Sequence, residues 1–364
     1  MIIMPIDEDR DVESRKVEHI DIVVSGEPEY RKTTWLEYVY LIHNSLPELS
    51  IDEIDTSIEI FNRRFDYPIL IDSMTGGGPG TDKVNKALAE LAFKYNIPIS
   101  CGSQKAYLKN PSVGYTYRVM REVSKDLFII GNIGGQDIRR DPIETAYKII
   151  DLIEADALAI HLNPLQESVQ VGGDRDFKGI VDAISILVDE LDIPIIVKET
   201  GAGISYEVAK LLEFIGVSAI NISGAGGTSW SAVESIRSSR KGEEYMAEIG
   251  KVYWDWGIPT AASLIEVVES VSIPVIASGG IRTGLDIVKT LALGASLSGL
   301  ASPFIKAFYN GNLDEFMNRL ITEVKIGMLL TGSRDINSLR KVNKVILGPL
   351  KDWLIQRGVY RDEW

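Results

Sequence analysis

The segment His161-Leu162-Asn163-Pro164-Leu165-Gln166-Glu167 gathers an imidazole, two carboxamides and a carboxylate in one short stretch. A single carboxylate flanked by amides suits Mg²⁺, a hard cation that keeps several waters and completes its shell with substrate phosphate oxygens. The same residues also fit a plain turn at Asn163-Pro164 with Glu167 on the surface. Lys198 ends the apolar run PIIVK, where an ammonium is costly unless it meets an anion or does chemistry. Three roles stay open for it: Schiff-base nucleophile, cation beside a cofactor ring, or partner of a neighbouring acid. Ser278-Gly279-Gly280-Ile281-Arg282 leads into a helix expected to start near 283–286. Backbone N–H groups with no Cβ in the way would there face an anion at a positive helix end, a phosphate cradle that Ala301-Ser302 would complete. Ser14-Arg15-Lys16-Val17-Glu18-His19 sets two cations and a histidine within two helical turns. It reads as a solvated basic face or, in an acidic chain, as the holder of a second phosphate. His43, in LIHNSLPELS, reads as a packing or capping residue, and Cys101 as a small buried side chain with no histidine nearby in sequence. Gly224-Ala225-Gly226-Gly227 is not a dinucleotide fingerprint, because no compact βαβ unit with an acidic residue about 20 positions on follows it.

These residues need elements to aim them. Eight apolar, β-branched runs predict strands at 68–73, 98–101, 127–131, 155–161, 194–198, 219–222, 274–278 and 295–300, with helical periodicity between them, as at 82–95, 142–153 and 206–215. PILI, PIIVK and PVIAS are apolar without alternation, as parallel strands covered on both faces require, and proline is tolerated at their first positions. No run looks like an exposed edge, so the reading is a (β/α)₈ TIM barrel and not an open doubly wound sheet. Such barrels carry their sites at the C-terminal strand ends. Here those ends read DSMTGGGPG, CGSQK, GNIGGQD, HLNPLQE, KETGAG, NISGAGGTSW, SGGIRTGLD and LASP. Any one of them fits turn chemistry; eight together point to a site. The expected organisation is an N-terminal extension at 1–65 contributing substrate-binding residues, a barrel at 66–312, and a C-terminal helical extension at 313–364 packed on it. The long stretch 230–262, with its patch RSSRKGEE, is expected to form a lid or a subunit contact.

Composition bounds the partners. The 364 residues are 45% hydrophobic and 25% charged, the make-up of a globular chain with a substantial core. Thirty-eight Lys and Arg against 52 Asp and Glu give a formal charge of −14, a field that disfavours nucleic acid and anionic membrane surfaces. A single cysteine excludes an intrachain disulfide and a multi-thiolate zinc site. The acidic opening MIIMPIDEDRD lacks the regions of a signal peptide and no apolar run nears the ~18 residues of a membrane span, so a cytoplasmic location is expected.

SRKVEH, SMTGG, GSQ, HLNPLQE, VKETGAGIS, SGAGGTSW, DWGIPTAAS, SGGIRTGLD and MLLTGS, in this order over nearly the whole chain, resemble type 2 isopentenyl diphosphate isomerase. The resemblance implies an FMN-binding barrel that converts isopentenyl to dimethylallyl diphosphate in isoprene biosynthesis. It also implies reduced FMN and Mg²⁺, NAD(P)H as flavin reductant, no net redox change, and a homo-oligomer, tetramer or octamer. By resemblance, Ser73, Met74, Thr75, Ser103, Asn132, Lys198, Ser223 and Thr228 contact the flavin, and Gly280, Ile281, Arg282, Ala301 and Ser302 hold its phosphate. Arg15, Lys16 and His19 resemble diphosphate ligands, with Ser103, Gln104, Lys105, His161, Asn163 and Gln166 lining the substrate. Glu167 resembles the Mg²⁺ ligand, and Gln166 acts with the flavin in catalysis. Two positions depart from the family pattern: Lys105 stands where arginine is usual, losing a bidentate fork, and Asp72 stands where a hydroxyl or other neutral residue is common. The competing readings are an FMN α-hydroxy acid oxidase, a Schiff-base aldolase and a noncatalytic flavoprotein. The first needs a histidine base after a late strand, and NISGAGGTSW has none.

Overall fold

The computed structural model describes residues 8–361, without the side chains of 8–15 and Val17. Its strands are β1 (Val39–Leu41), β2 (Ile58–Ile60), β3 (Arg63–Phe65), β4 (Ile69–Ile71), β5 (Ile99–Ser100), β6 (Ile129–Gly134), β7 (Ala157–Leu162), β8 (Ile195–Glu199), β9 (Ala219–Asn221), β10 (Val275–Ser278), β11 (Leu297–Leu300) and β12 (Lys344–Ile346). Strands β4 to β11 form a closed parallel barrel in chain order, and β11 returns to β4 through Ser298↔Ile69. All eight expected barrel strands are present. β6 runs on through Asn132, Ile133 and Gly134, residues the sequence reading had assigned to a loop; each pairs with β7, so the extra length is held by backbone hydrogen bonding.

The apolar runs are buried on both faces, as their lack of alternation requires. Leu70, Ile130, Ala157, Ala159, Ile196, Ala219, Ile276 and Leu297 fill the barrel interior, while Ile69, Ile71, Ile129, Ile160, Val197 and Ile220 pack outward against the helices. An antiparallel hairpin of β2 and β3 packs Ile60 and Phe65 into that interior cluster. Phe61 and Asn62 turn it with φ of 55° and 56°, the left-handed conformation a two-residue hairpin loop needs. Phe61 stacks on Phe128 at 5.8 Å and Phe65 meets the same ring edge-on at 5.5 Å. The N-terminal segment is therefore part of the core.

The two extensions are joined: β1 pairs antiparallel with β12, Val39 opposite Ile346. The helix Leu313–Leu330 lies against Gly284–Ala292 and reaches helix Thr81–Lys94 through Lys94–Asp314, so it completes the ring of outer helices. The helical layer of the barrel thus continues past residue 312. His43 is exposed, neither packed nor capping. No described helix is long and apolar enough to cross a membrane.

Phe65→Ala should cost about 3–5 kcal/mol, because it empties the plugged end of the barrel. A denaturant midpoint within error of the parent would show that the hairpin does not close the core.

Candidate active site

Register builds the site before any loop does. Gly134 pairs with His161, His161 with Lys198, and Lys198 with Asn221, so β7, β8 and β9 place an imidazole, an ammonium and a carboxamide in one row at the top of the barrel. His161 and Lys198 open into a cavity of about 980 Å³, near the upper end of the ~300–1,000 Å³ common for ligand sites, while Asn221 is buried beneath it. Because the strands close in chain order, the loops after β10 and β11 stand diametrically across the mouth from those after β6 and β7. One rim carries Gly279, Gly280, Ile281, Arg282, Ala301 and Ser302; the other carries Asn132, His161, Asn163, Gln166 and Glu167.

On the first rim Gly279 and Gly280 have φ of 98° and 73°. A Cβ on Gly280 would sit 2.5 Å from the Gly226 carbonyl, so only glycine lets the two loops approach this closely. The sequence expected the following helix end to offer its N–H groups to an anion. Instead Asp286 accepts from the N–H groups of Arg282 (3.1 Å) and Thr283 (3.0 Å) in a capping box, which leaves the backbone of Gly280 and Ile281 as the donors lining the cavity. Arg282 stands beside them, paired with Glu29 at 3.1 Å.

On the second rim a polar network fixes every amide. His161 Nδ1 lies 2.9 Å from Asn132 Oδ1, Gln136 donates to Asn163 Oδ1 at 3.2 Å, and Asn163 Nδ2 donates to Gln166 and Glu167, each at 3.3 Å. The backbone N–H of Asp174 donates to Glu167 Oε2 at 2.8 Å. Burial, then the charges of Lys198, Lys16 and Lys105, push His161 well below the ordinary histidine range, so its imidazole is neutral. Lys198 is 5% exposed and donates to the Glu199 carbonyl at 2.9 Å.

The N-terminal cluster joins this rim through a helical lid. Lys16 and His19, on helix Glu8–Ser25, line the cavity; Arg15 lies on the same helix with its side chain outside the described residues. The long insertion folds into helices Trp230–Arg240 and Glu244–Val252, and Arg237, Ser238, Lys241 and Glu243 face the cavity. Glu234, fully buried, takes His19 Nε2 at 3.0 Å and Gln166 Nε2 at 3.1 Å on the same oxygen, while Arg237 lies 3.5 Å from the other. Burial pushes Glu234 up; His19, Gln166 and Arg237 outweigh it and hold the carboxyl below its ordinary range.

Sequence reasoning missed Glu234, Glu199 and Asp137. The available signal for Glu234 was a lone carboxylate among the small residues of SAVES. Asp137 pairs with Lys105 at 2.8 Å, holding that cation at the mouth. Two expected residues turn away from the cavity. Gln104, at 0% exposure, donates to the Ile149 carbonyl and accepts from Asn132 N–H and the Cys101 thiol, so its amide ties β5 to β6 in place of facing a substrate. The Thr75 hydroxyl bonds Asn85, and Thr75 does not line the cavity. Ser73, Met74, Ser103, Ser223 and Thr228 all line the cavity. Burial pushes the Cys101 thiol up to about 12, in keeping with a packed side chain. Among the described residues no group of three or more His, Cys, Asp or Glu is placed to hold a metal ion.

The sequence profile of FMN-dependent dehydrogenases matches residues 164–344. The isopentenyl-diphosphate delta-isomerase of Methanothermobacter thermautotrophicus is 44% identical over 349 residues, 95% of this chain and 97% of that protein. The same-named protein of Ignicoccus hospitalis is 42% identical over 355 residues, 96% of this chain and 98% of its own. Among solved structures, mandelate oxidase with (S)-2-phenylpropionate superposes with a TM-score of 0.63 at 17% identity, over 93% of this chain and 98% of that one, a likeness of fold.

Burial pushes Glu199 up to about 7, against the backbone N–H groups of Ala202, Gly201 and Thr200 and the charge of Lys198. An acid whose folded pKa lies above its ordinary 4.5 stabilises the fold below that value and loses the contribution as pH rises to about 7. Denaturation of Glu199→Gln across that window should show the parent losing stability relative to the variant; a difference independent of pH would contradict the raised pKa.

Proposed function

The chain belongs to the isopentenyl-diphosphate delta-isomerase family in its FMN-dependent type 2 form, and from that premise we propose how its cavity carries out the reaction. It moves the double bond of isopentenyl diphosphate to give dimethylallyl diphosphate. An unactivated alkene is a weak base, so adding a proton at one carbon and removing one from another requires an acid and a base held against an apolar tail away from water. Reduced FMN, when bound, supplies that proton-exchanging edge.

The donors present fit the cofactor. Gly280, Ile281, Arg282, Ala301 and Ser302 would hold its phosphate, the Cβ-free approach of Gly280 to Gly226 making the room. Ser73, Met74, Ser103, Asn132, Ser223 and Thr228 would line it, and Lys198 would set a positive charge beside the ring. Across the mouth, Arg15, Lys16, His19 and Lys105 would hold the substrate diphosphate, with neutral His161, Asn163 and Gln166 donating to its oxygens. Anchoring the charged end fixes the alkene where proton exchange occurs. Gln166 Nε2 donates to Glu234, so the carboxylate would orient the Gln166 amide for its part in the proton exchange.

Glu167, whose Oε1 accepts from Asn163, would bind Mg²⁺, with diphosphate oxygens and waters completing the shell. NAD(P)H would serve as the flavin reductant. The exposed apolar residues Tyr245, Val252 and Trp256 on and after the lid support a homo-oligomer. The acidic charge and single thiol support a cytoplasmic protein acting on a small diphosphate, without nucleic acid or membrane.

The observation that carries this reading is the pair of anion-handling rims on opposite sides of one cavity, with Lys198 on its wall. Yellow protein, once bleached by anaerobic reduction and given isopentenyl diphosphate and Mg²⁺ in D₂O, should form deuterated dimethylallyl diphosphate. Flavin that reduces while the alkene stays in place would overturn it. Glu167→Gln should raise the Mg²⁺ needed for half-maximal rate roughly tenfold or more while FMN affinity holds; an unchanged Mg²⁺ response would remove Glu167 from the metal site. Gln166→Ala should lower turnover, and full turnover would exclude it from the proton path.

A further inference from the structure

Asp72 is a buried carboxylate on the cavity floor, at the end of β4. Its Oδ1 accepts the Ser73 N–H at 2.7 Å and its Oδ2 accepts Asn221 Nδ2 at 3.0 Å. Asn221 Oδ1 in turn accepts the Ser278 hydroxyl at 2.6 Å. Both carboxyl oxygens thus act as acceptors, the arrangement of an ionised group, and among the described residues no cation pairs with it. Two hydrogen bonds from neutral dipoles, one of them backed by Ser278, orient this charge without cancelling it. Closure of the barrel in chain order sets β4 diametrically across from β8, so Asp72 and Lys198 occupy opposing strands at the base of one cavity. Asn221, bonded to the first, is the register partner of the second.

We infer that Asp72 is a tuning residue for the bound flavin: its fixed negative charge opposes the positive charge of Lys198 and lowers the cofactor's affinity for electrons. Reduction adds two electrons and, where fewer than two protons follow, leaves net negative charge on the ring. A carboxylate sharing the same dry cavity disfavours that charge, and Lys198 favours it. For unit charges within about 10 Å at an effective dielectric near 20, the effect on the equilibrium is roughly tenfold. A hydroxyl or other neutral residue, common at this position by the family resemblance, would carry no such charge. The inference rests on the functional reading above.

The test is the FMN midpoint potential of the intact holoprotein, read spectrally against a reference dye during anaerobic reduction. Asp72→Asn keeps the size and an acceptor for Ser73 N–H, and rotation of the Asn221 and Ser278 groups restores the remaining bonds. Its midpoint should move positive by about a tenfold change in the reduction equilibrium, close to 30 mV for a two-electron couple. Asp72→Ser, which restores a hydroxyl, should shift the same way and stands in should the first variant lose its flavin. Asn221→Ala keeps the charge but removes a dipole that stabilises it, so its midpoint should stay level or move negative; a purely structural role would move all three together. Flavin-loaded Asp72→Asn and Asp72→Ser with the parent's midpoint would overturn the inference while leaving the functional reading intact. A parent protein that binds no FMN would overturn both.

Discussion

A lysine that is 5% exposed at the end of an apolar strand is the constraint on which the site depends. Taking an ammonium out of water is costly unless an anion or a reacting group meets it. Lys198 has one hydrogen bond to its own neighbour's carbonyl and otherwise looks into the cavity. Burial and then that charge keep the imidazole of His161, next to it in register, neutral, and Asp72 stands on the facing strand. In the proposed reading, an anionic cofactor would meet the ammonium and stabilise the protein by mass action as it binds.

Barrel closure turns a one-dimensional order of loops into a two-sided site. Loops seven and eight carry glycines and Arg282, whereas loops three and four carry amides, an imidazole and Glu167, and only the ring arrangement sets them face to face. In the proposed reading, a long ligand anchored by its phosphate on one rim would bring its far end under the other, where the diphosphate substrate would be held. Intermolecular proton exchange becomes nearly unimolecular in such a geometry.

The segments outside the barrel close it at both ends. The β2–β3 hairpin plugs the bottom with Phe65, and the first helix with the Trp230–Arg240 helix covers the top through His19–Glu234 and Arg237–Glu18. A T-shaped contact of His19 on Trp230 at 5.1 Å adds packing to that polar seam. Covering the mouth with paired charges excludes water and keeps donors aimed inward, which strengthens each electrostatic contact there.

The sequence by itself determined the barrel, because unalternating apolar runs such as PIIVK and PVIAS are stable only as parallel strands covered on both faces. It also determined the left-handed glycine turn at Gly279-Gly280 and the grouping of polar side chains from His161 to Glu167, since glycine freedom and residue chemistry are local properties. Only the tertiary structure decided what depends on distant partners. Gln104 stands in a motif that looks functional, yet its amide meets Ile149 and Asn132 on other elements and is consumed there. Glu234 looks like any helical glutamate until the first helix brings His19 onto it, across 215 residues of chain. Asp286 takes N–H groups that the turn alone would have left to an anion. Hydrogen bonds between segments remote in sequence leave no spacing to read, and so the roles of these side chains were fixed by folding.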